Sequence, residues 1–116
     1  MTRNLGKTTV TLEPVGVAGL ITPWNANALF LCAKLASAVA ASCTVVMKSS
    51  ELSAMQTQVW LECVHQAKLP KGLCNVVIGR GDVVRAELVR NPDVAKISFT
   101  GSLGLASRSY ATEPRQ

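Results

Sequence analysis

The sequence is poor in aromatic and charged residues and contains a single histidine. Aromatic residues make up 4% and charged residues 16% of the 116 positions, whereas 48% are hydrophobic. This composition excludes a disordered chain and indicates elements that are buried on several sides. A chain of this length forms one domain, so we expect residues 1–116 to be a single unit that is too short for a two-domain enzyme.

The sequence has no concentrated positive charge, although its net charge is +5. Much of the excess lies near the two ends, on Arg3 and Lys7 and on Arg108 and Arg115. A nucleic-acid-binding surface needs a basic stripe or patch, and no such run occurs. We therefore expect no nucleic-acid partner.

No two cysteines have the C-x-x-C spacing that is typical of metal or redox sites. Ten, nineteen and ten residues separate the four cysteines, which are Cys32, Cys43, Cys63 and Cys74. Each lies in an apolar segment, so we expect four buried structural thiols, no metal site and a reducing, cytoplasmic location. His65 lies in a helical segment, and no motif pairs it with another catalytic or metal-binding residue, which favours a structural role.

Neither a signal peptide nor a membrane span is predicted. The first ten residues lack an apolar core, which a signal peptide requires. Residues 28–47 are apolar, but polar side chains interrupt them at Lys34, Ser37, Ser42 and Thr44. A buried helix followed by a buried strand explains this segment, and we expect no membrane partner.

Short apolar runs alternate with helical patterns along most of the chain. The apolar runs predict four strands, at residues 16–21, 43–47, 75–78 and 95–99. The helical patterns between them cover residues 28–41, 53–67 and 83–90. With right-handed connections, the fold class is α/β, a partial doubly wound (Rossmann-like) parallel sheet of about four strands alternating with helices. Before these elements, only residues 9–12 are predicted to be extended.

The helical patterns also predict which faces are buried. Residues 28–41 are apolar almost all round, so we expect that helix to be covered on both faces. In the next helix one stripe should face the core, formed by Met55, Val59, Trp60, Cys63, Val64 and Ala67. Asp82 is placed to cap the helix over residues 83–90.

Residues 16–25, GVAGLITPWN, end an apolar run in a proline, a tryptophan and an amide. Pro23 ends the strand because it offers no N–H to the sheet. Ligands bind beyond the carboxyl ends of the strands in open parallel sheets, so residues 22–25 are the expected functional corner. Taken alone, Asn25 also fits an Asx turn after Pro-Trp.

Four segments in order resemble the first part of the coenzyme-binding domain of the aldehyde dehydrogenase family: GVAGLITPWN, VVMKSSE, LPKGLCNVVIGRGD and KISFTGS. The resemblance covers about residues 8–106, and residues 107–116 are expected to be an atypical tail. Family members are several times longer, so we expect the chain to be a fragment, a single partial coenzyme-binding domain. The resemblance implies NAD(P)-dependent oxidation of an aldehyde to a carboxylic acid through a cysteine thiohemiacetal.

The resemblance also implies roles for individual residues. Asn25 matches the asparagine of the oxyanion hole, the one catalytic residue that we assign. The family's catalytic cysteine lies beyond this stretch, so the chain alone is expected to be inactive and an aldehyde substrate to bind only in a complete enzyme. The predicted cofactor-binding residues are Ile21, Thr22, Pro23 and Trp24 along the cofactor wall, Lys48 and Glu51 at the adenosine ribose, Gly81 at the adenine end, and Gly101 and Ser102 at the pyrophosphate.

The Glu51 carboxylate would repel the extra phosphate of NADP, so the cofactor expected from the resemblance is NAD rather than NADP. Taken alone, Lys48 and Glu51 also fit a solvated turn and a first-turn charge of a helix.

The chain departs from the family pattern at several positions. Glycines common in the family are replaced by Ser42, Lys68 and Ala106, and Ala26 and Asn27 stand where an aromatic residue and a proline are common. Where such a position needs a positive φ, the replacement costs roughly 1 kcal/mol or more.

Two alternatives to a partial dehydrogenase stay open. The chain could be a non-catalytic interaction or self-association module, binding through an exposed sheet edge and apolar helix faces. It could also be a small stand-alone nucleotide-binding protein, which requires Lys48, Glu51 and Ser102 to bind without the rest of the family's site.

Overall fold

The computed structural model describes residues 2–102, which form a parallel sheet with helices and a separate hairpin. The strands are β1 (Thr2–Leu5), β2 (Thr8–Thr11), β3 (Val17–Ile21), β4 (Thr44–Lys48), β5 (Cys74–Val77) and β6 (Val94–Phe99). The helices are α1 (Asn27–Ala40), α2 (Ala54–Gln66) and α3 (Gly81–Arg90), and a 3-10 turn (Glu51–Ser53) precedes α2. The predicted tail at residues 107–116 and the departure at Ala106 lie outside the described residues.

The four strands that follow the hairpin form one parallel sheet in the order β5-β4-β3-β6. This confirms the partial doubly wound α/β fold that the alternating pattern predicts. The register pairs Ile21 with Lys48 on one side and with Phe99 on the other, so β3, β4 and β6 end level with one another. The connections that leave these strands therefore begin side by side.

Helices cover both faces of the sheet. On one face, α1 and α2 pack over β3 and β4, and the core there contains Leu20, Leu31, Val45, Met47 and Trp60. Gly19 points to the opposite face, where a Cβ would lie 3.3 Å from Leu88 Cδ2 of α3 and 2.5 Å from Ile97 Cδ1. Only a glycine lets α3 pack this closely on β3.

Residues 2–11 form an antiparallel hairpin, of which the sequence predicts only an extended piece at residues 9–12. The two strands are exposed along their whole length, so no apolar alternation marks them in the sequence. The available signal is Gly6, whose φ of 63° makes the tight turn between β1 and β2.

Two predictions about helix faces are wrong. The α1 helix is not covered on both faces, since Leu29 is 67% exposed and Cys32 is also exposed. Likewise, Met55 and Val59 of α2 are 79% and 59% exposed. Trp60 and Val64 of the predicted stripe do pack on the core, and Thr57 and Leu61 join them in place of Met55 and Val59.

The stripe on α2 was misassigned because one of its core positions is polar. Thr57 is fully buried, and its hydroxyl donates to Ser53 O at 3.0 Å. A hydroxyl that is satisfied within its own helix can occupy a core position at little cost. The same shift leaves Cys63 and Ala67 exposed. The prediction of four buried thiols is therefore wrong, because Cys32 and Cys63 are exposed on helices, Cys43 is buried and Cys74 is partly buried.

Among residues 2–102, three non-glycine residues have a left-handed backbone. The φ angles are 59° at Ser42, 52° at Lys68 and 51° at Ala26. Ser42 and Lys68 each follow the C-cap residue of a helix, where glycine is the usual solution. The replacement of glycine at these two positions therefore places a side chain in a conformation that costs roughly 1 kcal/mol.

Across residues 2–102, no helix combines the length and the apolar character needed to cross a membrane.

Candidate active site

A cavity of about 810 Å³ opens where β3, β4 and β6 end. Every residue that the sequence assigns to catalysis or cofactor binding lines it: Ile21, Thr22, Pro23, Trp24, Asn25, Lys48, Glu51, Gly81, Gly101 and Ser102. They come from four separate segments, which the level strand ends bring to one edge of the sheet. The structure thus places the ten residues together, while their individual roles stay predictions.

The connection from β4 to α2 holds an ion pair between a buried lysine and a partly exposed glutamate. Lys48 is 3% exposed, and its Nζ donates to Glu51 Oε2 at 2.8 Å. The other oxygen of this carboxylate, Oε1, accepts from the backbone N–H of Gly81 at 3.4 Å. Glu51 therefore joins the end of β4 to the start of α3 across the cavity.

The same hydrogen bonds keep Glu51 ionised. The hydrogen bond from Lys48 is the main reason why the pKa of the Glu51 carboxyl lies below its usual value. At neutral pH this side of the cavity thus presents a carboxylate whose partners are already in place.

The backbone between Lys48 and Glu51 is held by two serines. Ser50 Oγ accepts from Leu52 N at 3.3 Å, and Ser53 Oγ donates to Ser50 O at 3.1 Å. The resulting 3-10 turn brings Glu51 back over Lys48, so the ion pair is formed by local structure.

Within residues 2–102, the exposed residues of the connection from β3 to α1 make fewer side-chain hydrogen bonds than those of the connection from β4 to α2. Trp24 is 61% exposed, and Asn25 is also exposed. The Asn25 side chain makes no hydrogen bond to any other residue in the range 2–102, so the Asx-turn alternative lacks its defining bond there. The amide is therefore available to a ligand in the cavity.

A buried chain of hydrogen bonds lies beneath this corner. Asn27 is 1% exposed; its Oδ1 accepts from Thr22 Oγ1 at 3.3 Å, and its Nδ2 donates to Thr57 Oγ1 at 3.0 Å. These bonds tie the end of β3 and the start of α1 to α2. In the sequence Asn27 is visible only as a departure from the family pattern, since no local spacing links it to Thr57.

The turn after β6 completes the rim. Thr100 N donates to Ile21 O at 3.1 Å, which continues the sheet one residue beyond the strand. At Gly101 a Cβ would lie 2.6 Å from Cζ of the Phe99 ring, so any larger residue would displace that ring. Gly101 and Ser102 are themselves exposed.

Helix α3 begins earlier than expected, and Asp82 does not cap it. The helix starts at Gly81 after the N-cap residue Arg80, and no side chain of the cap residue bonds to it. The Asp82 carboxylate instead accepts from Arg80 Nε at 3.1 Å and Nη2 at 2.7 Å, and these bonds are the main reason why its pKa lies below the usual value. The acceptor at the first helical N–H comes from Glu51, which lies 30 residues earlier in the chain.

The model of the aldehyde dehydrogenase family matches residues 2–114. The chain belongs to this family.

Individual members of the family show how close the relation is. The chain is 42% identical over 106 residues to the chloroplastic betaine aldehyde dehydrogenase of Beta vulgaris, and 46% identical over 91 residues to the betaine aldehyde dehydrogenase of Bacillus subtilis. These matches cover 91% and 78% of this chain but only 21% and 19% of the two relatives. The chain thus spans about a fifth of the length of the curated aldehyde dehydrogenases that it matches.

Solved aldehyde dehydrogenases share the fold. A mutant of aldehyde dehydrogenase C from Pseudomonas syringae, in complex with NAD⁺ and octanal, is 41% identical with a TM-score of 0.83, covering 98% of this chain and 24% of that one. The betaine aldehyde dehydrogenase of Staphylococcus aureus, in complex with NAD⁺, is 36% identical with a TM-score of 0.80, covering 84% of this chain and 20% of that one.

Two chemical properties of this aldehyde dehydrogenase chain bear on its function. All four of its cysteines lie within the described residues, and none of them lines the cavity. Across residues 2–102, no cluster of three histidine, cysteine or acidic side chains could hold a metal ion.

The sequence did not single out Arg85, which also lines the cavity. This residue is 7% exposed and lies on α3, one turn after Gly81. The four-residue spacing from Gly81 is the signal that could have found it, because residues four apart share one face of a helix.

Proposed function

We propose that this chain forms the adenosine-binding part of the NAD site of an aldehyde dehydrogenase. The observation that carries the proposal is the group formed by Lys48, Glu51 and Gly81, in which the carboxylate is held between an ammonium and a helix N-terminus. A carboxylate fixed in this way accepts hydrogen bonds from ribose hydroxyls, and Lys48 donates to the same sugar. The neighbouring structures that contain NAD⁺ support this reading.

The rest of the cavity suits the remaining parts of the dinucleotide. Gly101 and Ser102 would receive the pyrophosphate, and residues 21–24 would form the wall along the nicotinamide end. NAD, when bound, accepts a hydride from the substrate. The residues of this chain bind and orient that cofactor.

Asn25 would supply an oxyanion-hole donor in the complete active site. Its side-chain amide lines the cavity and makes no hydrogen bond within residues 2–102. A donor fixed where negative charge develops stabilises the transition state by roughly 3 kcal/mol.

We expect no aldehyde oxidation by the 116-residue chain alone. The family reaction needs a thiolate nucleophile beside the cofactor, and no cysteine of this chain lines the cavity. The check is the absorbance of NADH after mixing the chain with NAD and an aliphatic aldehyde. NADH formation that disappears in Asn25→Ala would contradict the expectation.

Glu51 should make the site prefer NAD over NADP. Its carboxylate is ionised at neutral pH and would lie against the ribose hydroxyl that carries the extra phosphate of NADP.

The free cysteines and the absence of a basic run support a cytoplasmic protein with no nucleic-acid partner.

The test is a calorimetric titration of the chain with NAD and with NADP. We expect saturable NAD binding and weaker NADP binding. Glu51→Gln should lower the affinity for NAD and reduce the difference in affinity between NAD and NADP. Glu62→Gln is the matched control, because Glu62 is an exposed carboxylate on α2 that does not line the cavity. A folded chain without saturable NAD binding would contradict the proposal.

One observation favours the alternative of a self-association module. Leu52, Met55 and Val59 are 78%, 79% and 59% exposed at three- and four-residue spacing, so they form one apolar stripe that runs from the 3-10 turn along the outer side of α2. Solution mass by light scattering separates the two functions. An oligomer that ignores NAD and becomes monomeric in Met55→Lys would favour self-association, whereas a monomer that binds NAD would favour the cofactor site.

A further inference from the structure

Arg85 carries the uncompensated charge of the cavity. Three cations and two carboxylates line it: Lys48, Arg80, Arg85, Glu51 and Asp82. Glu51 is held by Lys48 at 2.8 Å, and Asp82 is held by Arg80 at 2.7 Å. Both carboxylates therefore have a partner already, and the net charge of +1 belongs to Arg85.

The Arg85 guanidinium has no partner within the described part of the chain. No hydrogen bond or ion pair joins its side chain to another residue in the range 2–102, although the residue is only 7% exposed. A buried cation without a partner is costly, so such side chains normally face water or a ligand.

The Arg85 guanidinium is not completely enclosed by the described part of the chain. No fully buried side-chain nitrogen or oxygen in residues 2–102 lacks a hydrogen-bond partner, so the unpaired nitrogens of Arg85 must keep some contact with open space. The cavity that Arg85 lines is open space next to this residue.

The position of Arg85 places it beside the ribose pair. It lies four residues after Gly81 and therefore on the same face of α3. A Cβ atom at Gly81 would lie 3.9 Å from both Lys48 Nζ and Glu51 Oε1, so this face of the helix lies next to the ion pair of Lys48 and Glu51. The resemblance puts Gly81 at the adenine end, and the diphosphate is attached to the same ribose, so it comes within reach of a long guanidinium side chain one turn beyond Gly81.

We propose that Arg85 binds the diphosphate of the dinucleotide. A guanidinium presents a planar fork of donors that matches phosphate oxygens, and it provides the positive charge that the diphosphate requires. The inference rests on the proposed function, since it names the residue of that site that takes the phosphates. It adds a specific contact on α3 to the turn at Gly101 and Ser102.

The experiment compares the wild-type chain with Arg85→Gln in titrations with NAD, ADP and adenosine. Arg85→Gln should lower the affinity for NAD and for ADP by about tenfold or more, because it removes a charge-assisted hydrogen bond. Adenosine, which has no phosphate, should bind both proteins equally. Arg90→Gln is the matched control, because Arg90 lies on the same helix but is exposed and does not line the cavity.

Thermal unfolding of the free proteins separates this role from a structural one. Arg85→Gln should be at least as stable as the wild type, because it removes an unpaired buried charge. A less stable variant with unchanged affinity for NAD would overturn the inference. An equal loss of affinity for adenosine and for NAD would also overturn it, because it would indicate that Arg85 stacks on the base. A loss of affinity confined to NADP would overturn it as well, because it would indicate a contact with the extra phosphate of NADP.

The outcome for the proposed function is distinguishable from the outcome for Arg85. If the wild type binds NAD and Arg85→Gln binds it equally well, the inference fails and the NAD site stands. If the wild type does not bind NAD, the NAD site fails, and inorganic pyrophosphate then tests Arg85 directly. Stabilisation by pyrophosphate that is lost in Arg85→Gln supports a phosphate site, and its absence from the wild type overturns it.

Discussion

The two connections that leave β3 and β4 lie side by side at the cavity but differ in how they are held. After β4, two serines and an ion pair fix the 3-10 turn, and Glu51 reaches across to α3. After β3, the side chains of the exposed Trp24 and Asn25 make no hydrogen bond within residues 2–102, and the side-chain bonds that hold the corner lie beneath it at Asn27.

The comparison indicates how much of each site this chain supplies by itself. The end of the cavity that we propose for adenosine is formed by Lys48, Glu51 and Gly81, whose hydrogen bonds are in place without a ligand. The corner that carries Asn25 presents an amide but nothing that orients it toward a reacting group. We therefore expect the chain to retain cofactor affinity more readily than chemistry.

The largest expected effect comes from removing the anchor beneath the first corner. Asn27→Ala leaves Thr22 and Thr57 without their shared partner in the core, and we expect it to lower the free energy of unfolding by about 2 kcal/mol. Urea denaturation followed by circular dichroism measures this change. Asn25→Ala should alter stability by less than about 0.5 kcal/mol, because that side chain is exposed and unbonded; a similar loss in both variants would contradict the comparison.

Ser50→Ala should weaken the second corner by about 1 kcal/mol, since it removes the side-chain acceptor at the start of the 3-10 turn. The free energy of unfolding gives the direct measure, and NAD affinity should fall with it because the turn positions Glu51. Ser37→Ala, which changes an exposed serine in the middle of α1, is the control. Equal effects of the two substitutions would show that the turn does not depend on its cap.

Unlike the substitutions above, Ala26→Gly should raise the free energy of unfolding, by roughly 0.5 to 1 kcal/mol. Ala26 has a φ of 51° at the N-cap of α1, and glycine adopts this conformation without strain. The matched control is Ala36→Gly in the exposed middle of α1, which should destabilise by a similar amount. Thermal unfolding of both variants checks the signs, and a loss of stability in Ala26→Gly would count against the strain.

The smallest effect is the pH dependence contributed by Glu51. Because the folded-state pKa of its carboxyl is lowered, the ion pair stabilises the fold above the usual carboxyl pKa and is lost as the pH falls through the lowered value. The Glu51 side chain is 51% exposed, so we expect less than about 1 kcal/mol. Glu51→Gln should therefore be less stable than the wild type at neutral pH and equally stable in acid; a difference that persists in acid would rule out the ion pair as its cause.

The sequence predicts the sheet well because buried parallel strands are short, apolar and bounded by breakers. Residues 16–21 and 43–47 show this pattern, and the structure has β3 and β4 there within one residue at each end. The fold rule for parallel sheets then places Thr22 and Lys48 at one edge. The resemblance to a family identified the other predicted site residues that line the cavity.

Other features depend on distant contacts that no local pattern contains. The buried face of α2 includes Thr57, which is satisfied by Asn27 from 30 residues earlier. The start of α3 takes its acceptor from Glu51, so the expected cap at Asp82 was wrong. Arg85 is an ordinary helical arginine in the sequence and becomes notable only because the fold buries it at the cavity with no hydrogen-bond or ion-pair partner among residues 2–102.

The most direct test of the difference between the two corners is a titration of the isotope-labelled chain with NAD, followed by NMR of the backbone amides. We predict saturable shifts that are largest at Glu51, Gly81 and Arg85, with smaller shifts at Trp24 and Asn25. Shifts that are confined to Trp24 and Asn25, or that never saturate, would contradict the claim that the adenosine end of the site is already formed in this chain.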